Sequence, residues 1–187
     1  MASAFSHAFA ALALGRVYTA EGMRPRFWVL SALCAVLPDA DAAAFAFGIP
    51  YGSMFGHRGL SHSLFFALLL GLLIVPLAFR EIPALTKRWW SLVFYFFLVT
   101  ASHGLLDALT NGGLGVAFFA PFDATRYFFP WRPIEVSPIG IAPFFSSRGL
   151  EVIINEFVWI WIPAALMVAA VWLSRRATAP GSTQGDK

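Results

Sequence analysis

The stretch Ser102-His103-Gly104-Leu105-Leu106-Asp107 decides how this chain is read. It closes a long apolar segment that opens near Trp89. His103 and Asp107 stand four apart, so on a helix they project from one face, one turn above the other. Thr100, Thr110 and Asn111 extend the polar stripe. An imidazole and a carboxylate in an otherwise apolar helix cost free energy unless they have partners. The rest of the sequence must supply those partners.

The chain has 187 residues, of which 59% are hydrophobic, 17% aromatic and only 12% charged. Soluble domains carry roughly a quarter charged residues. The composition therefore describes an integral membrane protein, and the length suits one domain. A formal net charge of +3 is modest. No basic run is interleaved with exposed aromatics, so the arginines read as determinants of membrane orientation and no nucleic-acid partner is expected. Cys34 is the only cysteine, which excludes an internal disulfide and any multi-thiolate metal site. A metal would have to use imidazole and carboxylate. No basic leader precedes the first apolar run, so the N-terminus is read as part of the mature fold.

The pattern predicts an all-α membrane bundle of about five helices forming one domain over 1–176. Three helices are expected to be long (64–79, 89–109 and 151–173) and two short (4–18 and 27–37). Each short segment covers roughly 16–22 Å at the helical rise, less than a hydrocarbon core of about 30 Å. Either flanking residues help them span, or they end inside the membrane where polar groups line a cavity. Gly48, Pro50, Gly52 and Gly56 break residues 42–56 into a surface-lying or re-entrant loop. Ser61 is the expected N-cap of the helix that follows. Pro121, Pro130, Pro133, Pro138 and Pro143, set among many aromatics, rule out a long helix over 111–150. That segment reads as a non-helical cap lying at the interface. Pro163 is expected to kink the last helix. Residues 177–187 read as a polar, disordered tail.

If each apolar segment crosses, Arg16, Arg24, Arg26, Arg80, Lys87, Arg88, Arg175, Arg176 and Lys187 share one side, nine of the thirteen basic residues. The positive-inside rule makes that side cytoplasmic. The opposite, outer level then collects His7, Asp39, Asp41, His57, His62, His103 and Asp107, including every histidine in the chain. Each has a plainer reading alone. A single membrane histidine is often a packed, hydrogen-bonded residue. His103 with Asp107 could be a structural pair, and an Asp-x-Asp after proline is often a turn or cap. Their co-occurrence outweighs those readings. Imidazole and carboxylate suit zinc first, with manganese or iron as alternatives. The candidate ligands are His7, Asp39, His57, His62, His103 and Asp107. They are enough for one divalent ion, or for two some 3.5–4 Å apart that activate water and clamp a phosphoryl displacement. Asp41 would bridge, orient a ligand or act as a base. Arg58 would steady a phosphate by a bidentate contact. Arg126 and Arg132, in the cap, could bind a headgroup, although interface anchoring is their plainer role.

At these residues the sequence resembles the YdjM-like family of inner-membrane proteins, for which metal-dependent hydrolysis is the expected chemistry. The matching elements are His7, Leu37-Pro38-Asp39-Ala40-Asp41, His57-Arg58-Gly59-Leu60-Ser61-His62-Ser63 and His103-Gly104-Leu105-Leu106-Asp107. The segments Pro121-Phe122 to Pro133 and Val136-Ser137-Pro138-Ile139 resemble one branch of that family. Ala40 replaces the usual isoleucine and Ser61 the usual threonine, and neither change touches a ligand type. The family is distantly similar to zinc-dependent phospholipase C and the related single-strand nucleases, whose helices use His-x-x-x-Asp in a metal cluster. The resemblance implies a membrane enzyme of the bacterial inner membrane that hydrolyses phosphoester bonds of a lipid or lipid-linked substrate. A non-enzymatic protein, either a metal carrier or a scaffold with a structural metal, is the alternative. Bis-histidine haem binding is a third idea, disfavoured by the aspartates. Neither substrate nor oligomeric state follows from the sequence.

Overall fold

A computed structural model describes residues 1–19 and 22–178 of the chain. Helices α1 (Ala4–Tyr18), α2 (Pro25–Val36), α3 (Leu64–Ala78) and α4 (Lys87–Ala108) come first. One helical turn, α5 (Ile141–Phe144), then leads into α6 (Ser147–Glu156) and α7 (Ile162–Thr178). The described residues contain no named strand, only two isolated bridges, Thr110 with Ile134 and Val116 with Tyr127. The all-helical class expected from composition is the one observed.

Helix lengths are distributed differently from the expectation. The segment over 27–37 does not stop at Pro38. It continues as a 3₁₀ helix, Leu37–Phe47, so that Pro25–Phe47 makes a candidate span of 23 residues. Proline removes one rung of the α ladder, and the chain tightens instead of ending. The 42–56 loop is therefore helical as far as Phe47. Conversely, α3 has only 15 residues, short of a full crossing, whereas Lys87–Ala108 and Ser147–Thr178 are long and apolar enough to cross. Ser63, not Ser61, caps α3 by accepting from the Phe66 N–H at 3.0 Å. A π-helical turn, Phe157–Trp161, precedes Pro163 and absorbs the missing N–H there. Residues 177 and 178 extend α7, and the remainder of the expected tail lies outside the described residues.

Helix α4 is central and packs against α1, α2 and α3. Leu92, Val93, Phe96 and Val99 are its buried stripe. Lipid is as apolar as leucine, so close approach decides which helices pair. A Cβ on Gly71 of α3 would lie 2.8 Å from the Val93 carbonyl oxygen, and glycine permits that approach. Residues 109–140 form the cap. The Leu64 N–H donates to Phe118 O, the Ala117 N–H to Arg58 O, the Phe129 N–H to Ala108 O and the Ser137 N–H to Met1 O. These bonds join the start of α1, the start of α3 and the end of α4, so the cap covers one end of the bundle. Several basic residues lie at the other end. Arg26 is ion-paired with Glu81, and Arg175 donates to the backbone carbonyls of Arg16, Val17 and Thr19.

Candidate metal centre

Four chain segments deliver polar side chains to the capped end. His7 comes from the first turn of α1, and Asp39 and Asp41 from the 3₁₀ helix. His57, Arg58 and His62 come from the turns before α3, and His103 and Asp107 from α4. A 3₁₀ helix turns about 120° per residue, so residues two apart face different neighbours. Asp39 accordingly turns to His103 and His62, and Asp41 to His57 and His62. Gly104 allows the loop to reach α4, since a Cβ there would sit 2.9 Å from the His62 carbonyl oxygen.

The four histidines form one continuous series. His7 stacks on His103 with centroids 3.7 Å apart, His103 meets His62 at 4.6 Å, and His62 meets His57 at 5.5 Å. His7, His57, His62, His103 and Asp107 are each buried, while the side chains of Asp39 and Asp41 are 8% and 9% exposed.

The hydrogen bonds fix where the lone pairs point. His103 Nδ1 lies 2.7 Å from the Ala35 carbonyl oxygen and must donate to it, which leaves a lone pair on Nε2. The Ser61 hydroxyl donates to Asp41 Oδ2 and so accepts from His62 Nδ1, leaving the His62 lone pair on Nε2. His57 Nδ1 donates to Asp41 Oδ1 at 2.6 Å. The Nε2 atoms of His62 and His103 are 3.0 Å apart. Two facing lone pairs at that distance repel unless a proton or a cation lies between them. Burial lowers the proton affinity of His62, but hydrogen bonding to Asp107, Asp39 and Asp41 outweighs it and pushes the imidazolium up to about 10.

A metal fits this donor set. Both carboxylate oxygens of Asp39, Nε2 of His57 and both ring nitrogens of His7 are buried without a hydrogen-bond partner. Buried polar atoms are rarely left so. Asp39 Oδ1 lies 3.3 Å from His103 Nε2 and 3.6 Å from His62 Nε2. Asp107 Oδ2 lies 3.6 Å from His62 Nε2 and 4.0 Å from His103 Nε2. Zinc bonds of about 2.0–2.1 Å in a tetrahedron give ligand-to-ligand edges of about 3.3 Å. Asp39, His62, His103 and Asp107 are therefore spaced to hold one ion. Asp41, His57 and His62 form a second, overlapping group. Asp41 itself accepts from His57, from the Arg58 N–H and from Ser61. That is the arrangement of a carboxylate that orients ligating histidines.

Arg58 and Arg126 are engaged differently from the expectation. Arg58 is wholly buried, with its backbone in the left-handed region at φ 62°. It donates to Gly112 O at 2.9 Å and Thr110 Oγ1 at 3.0 Å, and its Nε is 3.0 Å from Asp107 Oδ2. Its guanidinium is thus engaged in holding Asp107 and has no free fork for a phosphate. Arg126 donates to the carbonyls of His57, Gly115, Tyr51 and Ser53 and pins the loop to the cap. Arg132 is exposed, stacked on Phe128. One residue escaped the sequence reading. Glu156 is fully buried and accepts from the N–H and hydroxyl of Ser3 and from the Ser6 hydroxyl. It anchors the start of α1, four residues before His7. The available signal was a lone acid within the apolar run 152–173.

The profile of the YdjM inner membrane protein family matches residues 1–179. Inner membrane protein YbcI of Escherichia coli (strain K12) is 38% identical over 176 residues, which covers 94% of this chain and all of that protein. No solved structure matches the chain. With a profile match over nearly its whole length and a full-length relative at this identity, the chain belongs to the YdjM inner membrane protein family.

Proposed function

We propose that the protein is a membrane-bound, metal-dependent hydrolase of phosphoester bonds in a lipid or lipid-linked substrate. One observation carries the reading: ligand atoms of Asp39, His62, His103 and Asp107 converge on a single buried point, with those of Asp39 unpartnered and those of His62 and His103 facing each other. A divalent ion bound there supplies Lewis-acid activation of water and neutralises charge on a phosphoryl group. The chain's own residues do the remainder. Asp41 holds His57, and through Ser61 His62, in the ligating tautomer. Arg58 holds Asp107 and balances part of the carboxylate charge. Asp39 and Asp41, the partly exposed members, give the site its approach. By the positive-inside rule the basic end faces the cytoplasm and the capped end the outer face, where a lipid reaches the site laterally.

A second reading is a structural metal in a non-enzymatic protein. It is favoured by one observation: four protein ligands would close a tetrahedral site, and closed sites are typically structural. Elemental analysis of the purified protein, followed by assay on phospholipids and generic phosphodiesters, separates the two. The hydrolase reading expects roughly stoichiometric metal and chelator-sensitive turnover. His103→Ala and Asp107→Ala should each lose metal and activity while the protein stays in the membrane. Metal without turnover on any phosphoester would leave the structural reading. Wild-type metal content in both variants would defeat both readings.

A further inference from the structure

A groove of about 750 Å³ runs between α1, α2 and α7, remote from the histidines. Phe9, Trp28, Ala165, Ala169 and Trp172 form much of its apolar wall, and Arg16 stands at its end. The span Ser147–Thr178 is otherwise little covered by the rest of the described protein. Charge marks one end of this groove. Arg16 lies 4.7 Å over the Trp28 ring, and Arg176 lies 3.7 Å over the Trp172 ring. Both arginines are exposed, and neither has an acidic partner among the described residues. Arg175 brings them to the same level, because its guanidinium bonds the carbonyls of Arg16, Val17 and Thr19 at 2.5–3.1 Å and ties the end of α7 to the end of α1. Those bonds consume Arg175 and leave Arg16 and Arg176 for a ligand.

We infer that this groove is a binding site for an anionic phospholipid. An acyl chain would lie along the small residues of α7, and the headgroup phosphate would meet Arg16 and Arg176 at the membrane interface. Basic pockets between membrane helices bind anionic headgroups, and interfacial tryptophans mark the headgroup level. The volume falls within the usual range of ligand sites, about 300–1,000 Å³. The inference is independent of the metal centre, which lies at the opposite end of α1.

The test uses the full-length protein in dodecyl maltoside, equilibrated with mixed micelles of equal phosphatidylglycerol and phosphatidylcholine. Lipid retained after gel filtration is quantified by mass spectrometry. Two basic side chains near a membrane surface should favour the anionic lipid by about thirtyfold. Arg16→Gln/Arg176→Gln should bring retention of the two lipids to parity. Ala169→Phe, which fills the wall, should lower retention of both. Elution volume and thermal midpoint should equal wild type in every variant, which shows that the fold is intact and keeps this result separate from the metal centre. Equal retention of the two lipids by the wild type, or an undiminished preference in the double variant, would overturn the inference. So would Ala169→Phe converting a wild-type dimer to monomer with lipid retention unchanged, since the groove would then belong to a second copy of the chain.

Discussion

Replacing Asp41 with asparagine tests whether that carboxylate orients the cage. Asp41 Oδ1 accepts from His57 Nδ1 at 2.6 Å, and Oδ2 accepts from the Arg58 N–H at 3.1 Å and from Ser61 Oγ at 2.5 Å. An amide retains one acceptor. The less disruptive orientation keeps the oxygen toward Arg58 and Ser61 and turns the NH₂ toward His57. Two donors then face each other, so His57 must shift its proton to Nε2 and lose the lone pair now buried there. A hydrogen bond to a charged group, about 1.5–3 kcal/mol, gives way to a weaker neutral one, and one negative charge beside His62 is lost. Substitution of a carboxylate that orients ligating histidines typically costs about 10–100-fold in metal affinity. Asp41→Asn should therefore bind zinc about 10–100-fold more weakly, measured by competition against a chromogenic chelator in detergent. Asp41→Ala should lose more. Wild-type affinity in Asp41→Asn would refute the orienting role, and with it the argument that fixes the His57 and His62 tautomers.

Three further outcomes are expected. With its imidazolium pushed up to about 10, metal-free His62 carries a proton at neutral pH that a metal must displace. Apparent zinc affinity should thus fall by up to about tenfold per unit of acidification from this group alone, and a flat titration between pH 6 and 8 would contradict the geometry. Gly71→Val places a side chain against the Val93 carbonyl and should destabilise the α3–α4 pair by about 1–3 kcal/mol, read as a lower thermal midpoint in detergent. Glu156→Gln leaves Ser3 and Ser6 with a poorer acceptor. It should cost about 1–3 kcal/mol of stability, with detachment of the α1 start visible as faster amide exchange at Ser3 and Ser6.

Much of this was legible because membrane sequences leave little noise. Polar groups are expensive within apolar helices, so His7, His103 and Asp107 stood out against their surroundings. Alternation of the helices then sent them, and the Asp39 and Asp41 pair, toward one end. Pro38 misled because proline reads as a stop, whereas here it only converts α to 3₁₀ geometry. Leu64–Ala78 misled because apolarity says nothing of where the chain turns away. The partners of Arg58 and Arg126 were not readable at all. Both guanidiniums reach backbone carbonyls supplied by segments distant in sequence, and carbonyls leave no compositional trace. Glu156 was masked by its distance from every histidine, although it fastens the helix that carries one of them.

The 3₁₀ stretch over Leu37–Phe47 also bears on how fast an ion could come and go. Its two aspartates are the most exposed of the described cage members, at 8% and 9%. Dissociation would therefore have to pass through this wall. Hydrogen-bond geometry in a 3₁₀ run is poorer than in an α-helix, so the wall is the part of the enclosure most easily unwound. Residence time would then be governed by local melting of eleven residues more than by the strength of any one coordinate bond, and a chelator should strip the protein at a rate that does not depend on chelator concentration.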